Sequence, residues 1–159
     1  MKGNPKVIKV LNELLVEELT AINQYFVHSE ICESYGYGVL HGKIRAESMD
    51  EMKHAEVLLE RILFLGGKPT MGKALSLTIS EKVEQMLAND LVLEQGAIAS
   101  YNAAIALCAE LGDNGSSDLL QTILTDEEKH LEFIETQLSL IKQIGLPNYL
   151  AQQMGEGKD

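Results

Sequence analysis

The segments Glu51-Met52-Lys53-His54 and Glu127-Glu128-Lys129-His130 share the spacing Glu-x-x-His, and a single glutamate, Glu18 or Glu94, precedes each of them at the same distance along the chain. One constant offset therefore relates the first set of three side chains to the second, and we refer to this relation as the internal repeat. The chain is built as two similar halves. On a helix, a glutamate and a histidine three residues apart lie on one face, about one turn apart, so both side chains reach a common point inside a bundle.

Apolar residues recur every three or four positions in four long blocks, and this periodicity predicts helices and no strands. Glycine-rich breaks follow the first and third blocks, whereas about 15 residues connect the second block to the third. Two short turns and one long connection predict an all-α, antiparallel four-helix bundle with one long crossover. We expect a single domain over residues 1–159, with long helices at about 5–35, 39–65, 81–111 and 116–144. We expect Ser80 or Glu81 to cap the third helix, and a short C-terminal fifth helix to span 148–154.

The composition is acidic and is sufficient for one buried core. The 159 residues are 45% hydrophobic, and 24 acidic against 13 basic side chains give a formal charge of -11. A phosphate backbone repels such a charge, so we expect no nucleic-acid partner. The start of the chain lacks the apolar run of a signal peptide, and no run of about 18 apolar residues is evident, so we expect a soluble, cytoplasmic protein without a membrane partner. Cys32 and Cys108 stand apart and predict neither a disulfide nor a thiolate metal site.

The acidic side chains of both halves fall on apolar helix faces. In the second helix, Glu51 shares its face with Leu58 and Ile62, and His54 lies beside it. Buried carboxylates repel one another and lose hydration, whereas two divalent cations neutralise four of them. Oxygen ligands with one imidazole per cation suit iron or manganese and are poor for thiophilic metals. The sequence therefore predicts a buried dinuclear metal site with six ligands: Glu18, Glu51, His54, Glu94, Glu127 and His130.

Met52 lies on the outer side of the second helix. It is about 100° from Glu51 and about 160° from His54, and it shares its face with Met49, Glu56, Leu59 and Leu63. This outer stripe is too apolar for open water, so it predicts a contact between subunits. From the spacing alone, the favoured role of Met52 is packing within that contact.

Five segments closely resemble one protein family. They are Met1–Gly3, Asn23–Phe26, Asp50–Ala55, Glu60–Leu65 and Asn148–Leu150, and the resemblance extends over nearly the full chain. Together with the six-ligand set of the ferritin-like di-iron proteins, they make the chain similar to the bacterioferritins. The resemblance implies a ferritin-like bundle and a ferroxidase that oxidises Fe(II) with dioxygen or peroxide. It also implies that Fe(III) is stored as a mineral inside a hollow homo-oligomeric shell of twenty-four subunits.

The resemblance also assigns roles by position. It implies that Glu18 and His54 bind one iron, that Glu94 and His130 bind the other, and that Glu51 and Glu127 bridge the pair. Tyr25, which the internal repeat relates to Tyr101, is implied to deliver an electron; a core tyrosine bonded to a ligand carboxylate is a compatible alternative. Met52 from each of two subunits is implied to ligate one haem, through which a small ferredoxin would supply electrons for iron release.

Three positions depart from the family pattern. Ala46 stands where many relatives have a histidine that holds an inner-surface iron together with Asp50, so that iron site is not predicted here. Leu58 and Phe133 stand where some members have tyrosine and tryptophan, so an electron route through several aromatic side chains is not predicted either. We expect Tyr25 to carry more of that role.

Two other functions fit parts of the pattern. A different di-metal enzyme on the same bundle, such as a peroxidase or a manganese catalase, would form no mineral and would elute from gel filtration as a small oligomer. A structural helical protein would use these glutamates and histidines only for packing or solubility, and it would hold no metal. The near full-length resemblance to a shell-forming family argues against the di-metal enzyme, whereas metal analysis would decide the structural alternative.

Overall fold

The computed structural model describes residues 1–73 and 75–157 as five helices and one very short strand. The helices are α1 Pro5–Ser34, α2 Gly38–Phe64, α3 Val83–Glu110, α4 Asn114–Ile144 and α5 Leu146–Gln153. The prediction of an all-α fold with a short C-terminal helix is confirmed. A two-residue strand, Gly155–Glu156, pairs in parallel with Tyr37 and Gly38 at the turn between α1 and α2.

Local side chains set where the helices begin. The Asn4 side chain caps α1 by accepting a hydrogen bond from the backbone N–H of Lys6. α4 begins slightly before the predicted boundary, because the Asp113 carboxylate accepts the backbone N–H of Ser116. α3 begins later than predicted, at Val83. Ser80 does not cap it: its hydroxyl accepts the backbone N–H of Lys82 and shapes the preceding turn.

The bundle consists of two helical hairpins. α1 packs along α2, α3 packs along α4, and the hairpins meet mainly through α1 and α3, whereas α2 and α4 approach each other at few points. Two apolar clusters fill the interior, one around Leu11 and Ile62 and the other around Leu40 and Met86. A layer of buried polar side chains contributed by all four long helices accompanies them and positions the site described below.

The crossover between α2 and α3 is held against α1 by side chains. Asn12 accepts the backbone N–H of Thr70, Gln24 accepts that of Thr78, and the Nε2 atom of His28 accepts that of Ser80. The Nδ1 atom of His28 lies 2.9 Å from a carboxylate oxygen of Asp90 on α3, and both side chains are buried. One face of α1 thus fixes the path by which the chain returns to the start of α3.

α3 departs from the expectation that no stretch of the chain suits a membrane. Among the described residues, it is the one helix that is long and apolar enough, by length and composition alone, to cross a bilayer. Its Asp90 and Glu94 are nevertheless buried inside the bundle, where Asp90 contacts Gln24 and His28 of α1. These contacts pack one side of α3 against α1, and a single helix that meets this criterion is weak evidence for a membrane span.

Candidate metal centre

The structure brings the six predicted ligand residues together in the middle of the bundle. α1 supplies Glu18, α2 supplies Glu51 and His54, α3 supplies Glu94, and α4 supplies Glu127 and His130. Between 0% and 6% of each residue's surface is exposed. Potential ligand atoms lie within 4.8 Å of one another in two groups, and Glu51 and Glu127 belong to both groups. The arrangement could hold two metal ions with two shared carboxylates.

Both imidazoles direct the same ring atom to the carboxylates. The Nδ1 atom of His54 lies 2.9 Å from Glu51 Oε2 and 2.8 Å from Glu127 Oε1. The Nδ1 atom of His130 lies 2.9 Å from Glu51 Oε1 and 3.7 Å from Glu94 Oε1. The two rings are nearly parallel, with centroids 6.1 Å apart. The two halves of the chain therefore contribute matching imidazoles to one centre.

Burial sets the protonation of the carboxylates. It raises the pKa of Glu18 to about 8, that of Glu127 to about 7 and that of Glu94 to about 10. Burial acts in the same direction on Glu51, but hydrogen bonds from His130 and His54 outweigh it and lower the pKa of Glu51. Three of the four carboxyl groups are thus held towards their protonated forms when no cation compensates them.

The imidazoles take up positive charge in the same centre. Burial lowers the pKa of His54, but its contacts with Glu127, Glu18 and Glu51 outweigh burial and raise the pKa. The pKa of His130 rises to about 10, because its bond to Glu51 outweighs the cost of burial. Oε2 of Glu94 is buried without a hydrogen-bond partner. Protons thus occupy a centre whose oxygen and nitrogen donors fit hard or borderline divalent cations.

Two buried tyrosines support the single glutamates. The Tyr25 hydroxyl of α1 donates a hydrogen bond to Glu94 of α3, and the Tyr101 hydroxyl of α3 donates one to Glu18 of α1. Burial raises the pKa of both tyrosines, so both keep their protons. Each tyrosine therefore orients the single glutamate of the other half of the chain. The internal repeat relates Tyr25 to Tyr101, but no role was predicted for Tyr101 from the sequence.

Acidic side chains also face the outer ring nitrogens of the two histidines. His54 Nε2 lies 3.5 Å from Asp126 Oδ2, and His130 Nε2 lies 3.7 Å from Asp50 Oδ2. A carboxylate at that nitrogen orients a ligating imidazole and fixes its tautomer. This role was not predicted from the sequence, although the internal repeat also relates Asp50 to Asp126. Glu47 was missed as well; burial raises its pKa to about 9 beside His130.

Met52 lies outside this centre. It is 55% exposed on α2, and the neighbouring Met49 and Leu63 are 52% and 54% exposed. Met52 therefore points outward from the bundle among apolar side chains, as its position on the helical projection of the sequence predicts. Of the positions that depart from the family pattern, Ala46 is exposed, Leu58 is buried in the core, and Phe133 packs against a core cluster.

Two openings lead towards the metal centre from opposite faces of the bundle. A cavity of about 180 Å³ between α1 and α3 reaches the carboxylates of Glu18, Glu94 and Glu127. A wider groove of about 650 Å³ between α2 and α4 reaches the two histidines. The groove carries two lysine–aspartate ion pairs, Lys53 with Asp50 and Lys129 with Asp126, whereas none of the described residues that line the cavity is a lysine or an arginine.

A one-crossover helical bundle with two Glu-x-x-His pairs and two single glutamates at its centre defines the ferritin-like class of dinuclear carboxylate proteins. Residues 8–144 match the family model of the ferritin-like domain. The chain is 43% identical over 152 residues to the bacterioferritin of Mycolicibacterium paratuberculosis, with 96% of each protein covered. It is 44% identical over 149 residues to that of Brucella melitensis, with 94% of this chain and 92% of the relative covered. The chain belongs to the bacterioferritins, and iron storage is the function that this family and the buried cluster support.

The raised pKa values of the six-ligand centre predict that cation binding releases protons. Glu18, Glu94, His54 and His130 all have a raised pKa, so they carry protons at neutral pH that a bound cation must displace. We expect roughly three or four protons released per chain when anaerobic Fe(II) is added at about pH 7, measured with an indicator dye. Because fewer protons compete at higher pH, affinity should rise from about pH 6 to about pH 9. An affinity that is independent of pH would contradict this protonation scheme.

Proposed function

We propose that this chain is the subunit of an iron-storing ferroxidase, which oxidises Fe(II) to Fe(III) inside each bundle and keeps the product as a mineral in a hollow shell. One observation carries the proposal: two buried groups of carboxylates and imidazoles share Glu51 and Glu127. Substrate Fe(II) supplies the positive charge that these carboxylates lack. Because Glu51 and Glu127 belong to both groups, the six residues would form one dinuclear centre and not two independent metal sites.

The residue roles follow from the two groups. We assign Glu18 and His54 to one iron, Glu94 and His130 to the other, and Glu51 and Glu127 as bridges. Two ions held together can each give one electron to dioxygen or peroxide, so a two-electron acceptor is reduced at one place. Asp126 and Asp50 lie 3.5 and 3.7 Å from the outer ring nitrogens of His54 and His130, where they would favour the orientation of ligating imidazoles.

Tyr25 is our candidate for an additional electron donor. Its hydroxyl bonds to the ligand Glu94, so loss of an electron from the ring can be coupled to transfer of the hydroxyl proton to that carboxylate. Tyr101 makes the equivalent bond to Glu18 and orients that ligand.

We propose haem as a second cofactor, held between two subunits by Met52 from each. The support is an exposed thioether on an apolar face of α2, which suits both the axial position and the flat apolar ring of a porphyrin. Bound haem would supply a one-electron relay. A small ferredoxin is the expected donor for iron release, and we expect a cytoplasmic, homo-oligomeric shell of twenty-four subunits.

Aerobic addition of Fe(II) to the purified protein, together with gel filtration, tests this function. We expect a fast oxidation phase that saturates near two Fe(II) per chain, followed by slower mineral growth. We also expect elution as a very large particle, because a mineral requires a closed shell. Fast oxidation by a small oligomer that forms no mineral would favour a di-metal peroxidase or catalase instead. Absence of iron binding would favour a purely structural role.

A further inference from the structure

The cavity between α1 and α3 carries a carboxylate that has no place in the six-ligand centre. Oε1 of Glu17 accepts a hydrogen bond of 2.9 Å from the Ser100 hydroxyl, and its Oε2 is buried without a hydrogen-bond partner. A buried carboxylate oxygen without a partner loses hydration free energy, and the contacts described for Glu17 do not compensate that loss.

The cavity lining connects this carboxylate with the centre. Gly96 and Val92 are at its surface, Glu17 and Ser100 are half-buried, and Glu18, Glu94 and Glu127 are buried. Glu94 Oε2 is also without a hydrogen-bond partner, and only 1% of Glu94 is exposed. Two unpartnered carboxylate oxygens thus belong to one cavity, at different depths.

Gly96 lies at the exposed outer end of this cavity. A glycine inside a helix destabilises that helix relative to alanine. No atom lies within 4 Å of the position that a Cβ on Gly96 would occupy, so close packing does not require glycine there. Its effect is to leave space at the surface of the cavity, one turn from Ser100.

The charged side chains at the two openings differ, and this difference favours one opening as the route for a cation. At the groove between α2 and α4, Lys53 and Lys129 are each paired with an aspartate, so the positive and negative charges of these pairs balance there. The cavity between α1 and α3 has acidic groups and hydroxyls as its polar lining, and no basic side chain is among the described residues that line it. A cleft lined by one sign of charge raises the local concentration of the opposite ion and accelerates its association.

We propose that Glu17, held by Ser100, is a transient binding residue for divalent cations that enter through the cavity between α1 and α3. The cation leaves bulk water at Glu17 and passes to Glu18 and Glu94, which lie deeper in the same cavity. Glu17 therefore governs how fast the centre fills and leaves its final occupancy unchanged. This inference rests on the proposed function, because it requires that the six-ligand centre binds divalent cations.

The experiment follows Co(II) absorption after rapid mixing with metal-free protein, which avoids oxidation chemistry. In Glu17→Gln, association should slow by about three- to tenfold at low salt, while the end point stays near two Co(II) per chain. The rate should also lose part of its dependence on ionic strength, a change that a purely structural role of Glu17 would not cause. Glu13→Gln removes an equal charge one turn away on α1, outside the cavity, and should keep the parent rate.

A steric variant tests the route separately from the charge. Gly96→Leu fills the outer end of the cavity and should also slow Co(II) uptake, whereas Gly96→Ala should fold at least as well as the parent and change the rate little. A parental rate in Glu17→Gln or in Gly96→Leu would overturn the inference. Absence of Co(II) uptake by the parent would instead overturn the proposed function, as would full uptake by Glu18→Gln.

Discussion

Glu18→Ala and His130→Ala should each remove the fast phase of aerobic Fe(II) oxidation. In the proposed assignment, each substitution deletes one ligand from a different iron position, so the pair of ions that would share Glu51 and Glu127 should no longer form. Loss of a group that merely supports a metal ligand costs about 10- to 100-fold in affinity or activity, so loss of a ligand itself should slow the initial rate by at least about 100-fold. Stopped-flow absorption of the ferric product measures this rate.

Matched controls separate the site from general effects of charge and folding. Glu13→Ala removes an exposed carboxylate from the same helix as Glu18, and His41→Ala removes a histidine that lies outside the centre. Both controls should retain the parent rate and stoichiometry. If Glu18→Ala and His130→Ala also oxidise Fe(II) at the parent rate, the assignment of the centre is wrong.

Met52→Leu should abolish the haem absorption bands of the purified protein without dissociating the shell. Leucine has a similar volume and apolar character, so packing between subunits should be kept while the sulfur ligand is lost. Met52→His should instead shift the bands, since imidazole replaces the thioether as axial ligand. Absorption spectra recorded across a gel-filtration peak measure both effects.

Met49→Leu is the control for this substitution, because Met49 is nearly as exposed as Met52 and lies on the same side of α2. It should leave the haem bands unchanged. A parent protein that shows no haem band, even after incubation with haem, would refute the assignment of Met52. The iron site would be unaffected by that result, since Met52 lies outside the six-ligand centre.

Regular spacing explains why much of this molecule could be predicted from its sequence. Helical periodicity predicted four long helices, and the internal repeat predicted six side chains that the structure brings together. Such patterns are visible in a sequence because residues at regular helical spacing lie on the same face of the helix. The predicted boundaries differed where a local hydrogen bond decided the outcome, as at Asp113 and Ser80.

Features that depend on distances between helices could not be predicted in the same way. The bond from Tyr101 to Glu18 joins α3 to α1, and the approach of Asp126 to His54 joins α4 to α2. Helical projection gives the direction of a side chain on its own helix but not which neighbour it meets. The cavity beside Glu17 depends on the separation of α1 and α3, which no single segment encodes.

The side chains that dock the crossover on α1 have no equivalents in the second half of the chain. The positions that the internal repeat relates to Asn12, Gln24 and His28 are Ala88, Ser100 and Ala104. α3 has no crossover of its own to bind, so the residue equivalent to Gln24 is a small serine that holds Glu17. Equivalent positions in the two halves of the chain thus have different tasks: those of α1 dock the crossover, and Ser100 of α3 holds Glu17 at the cavity through which we propose that cations enter.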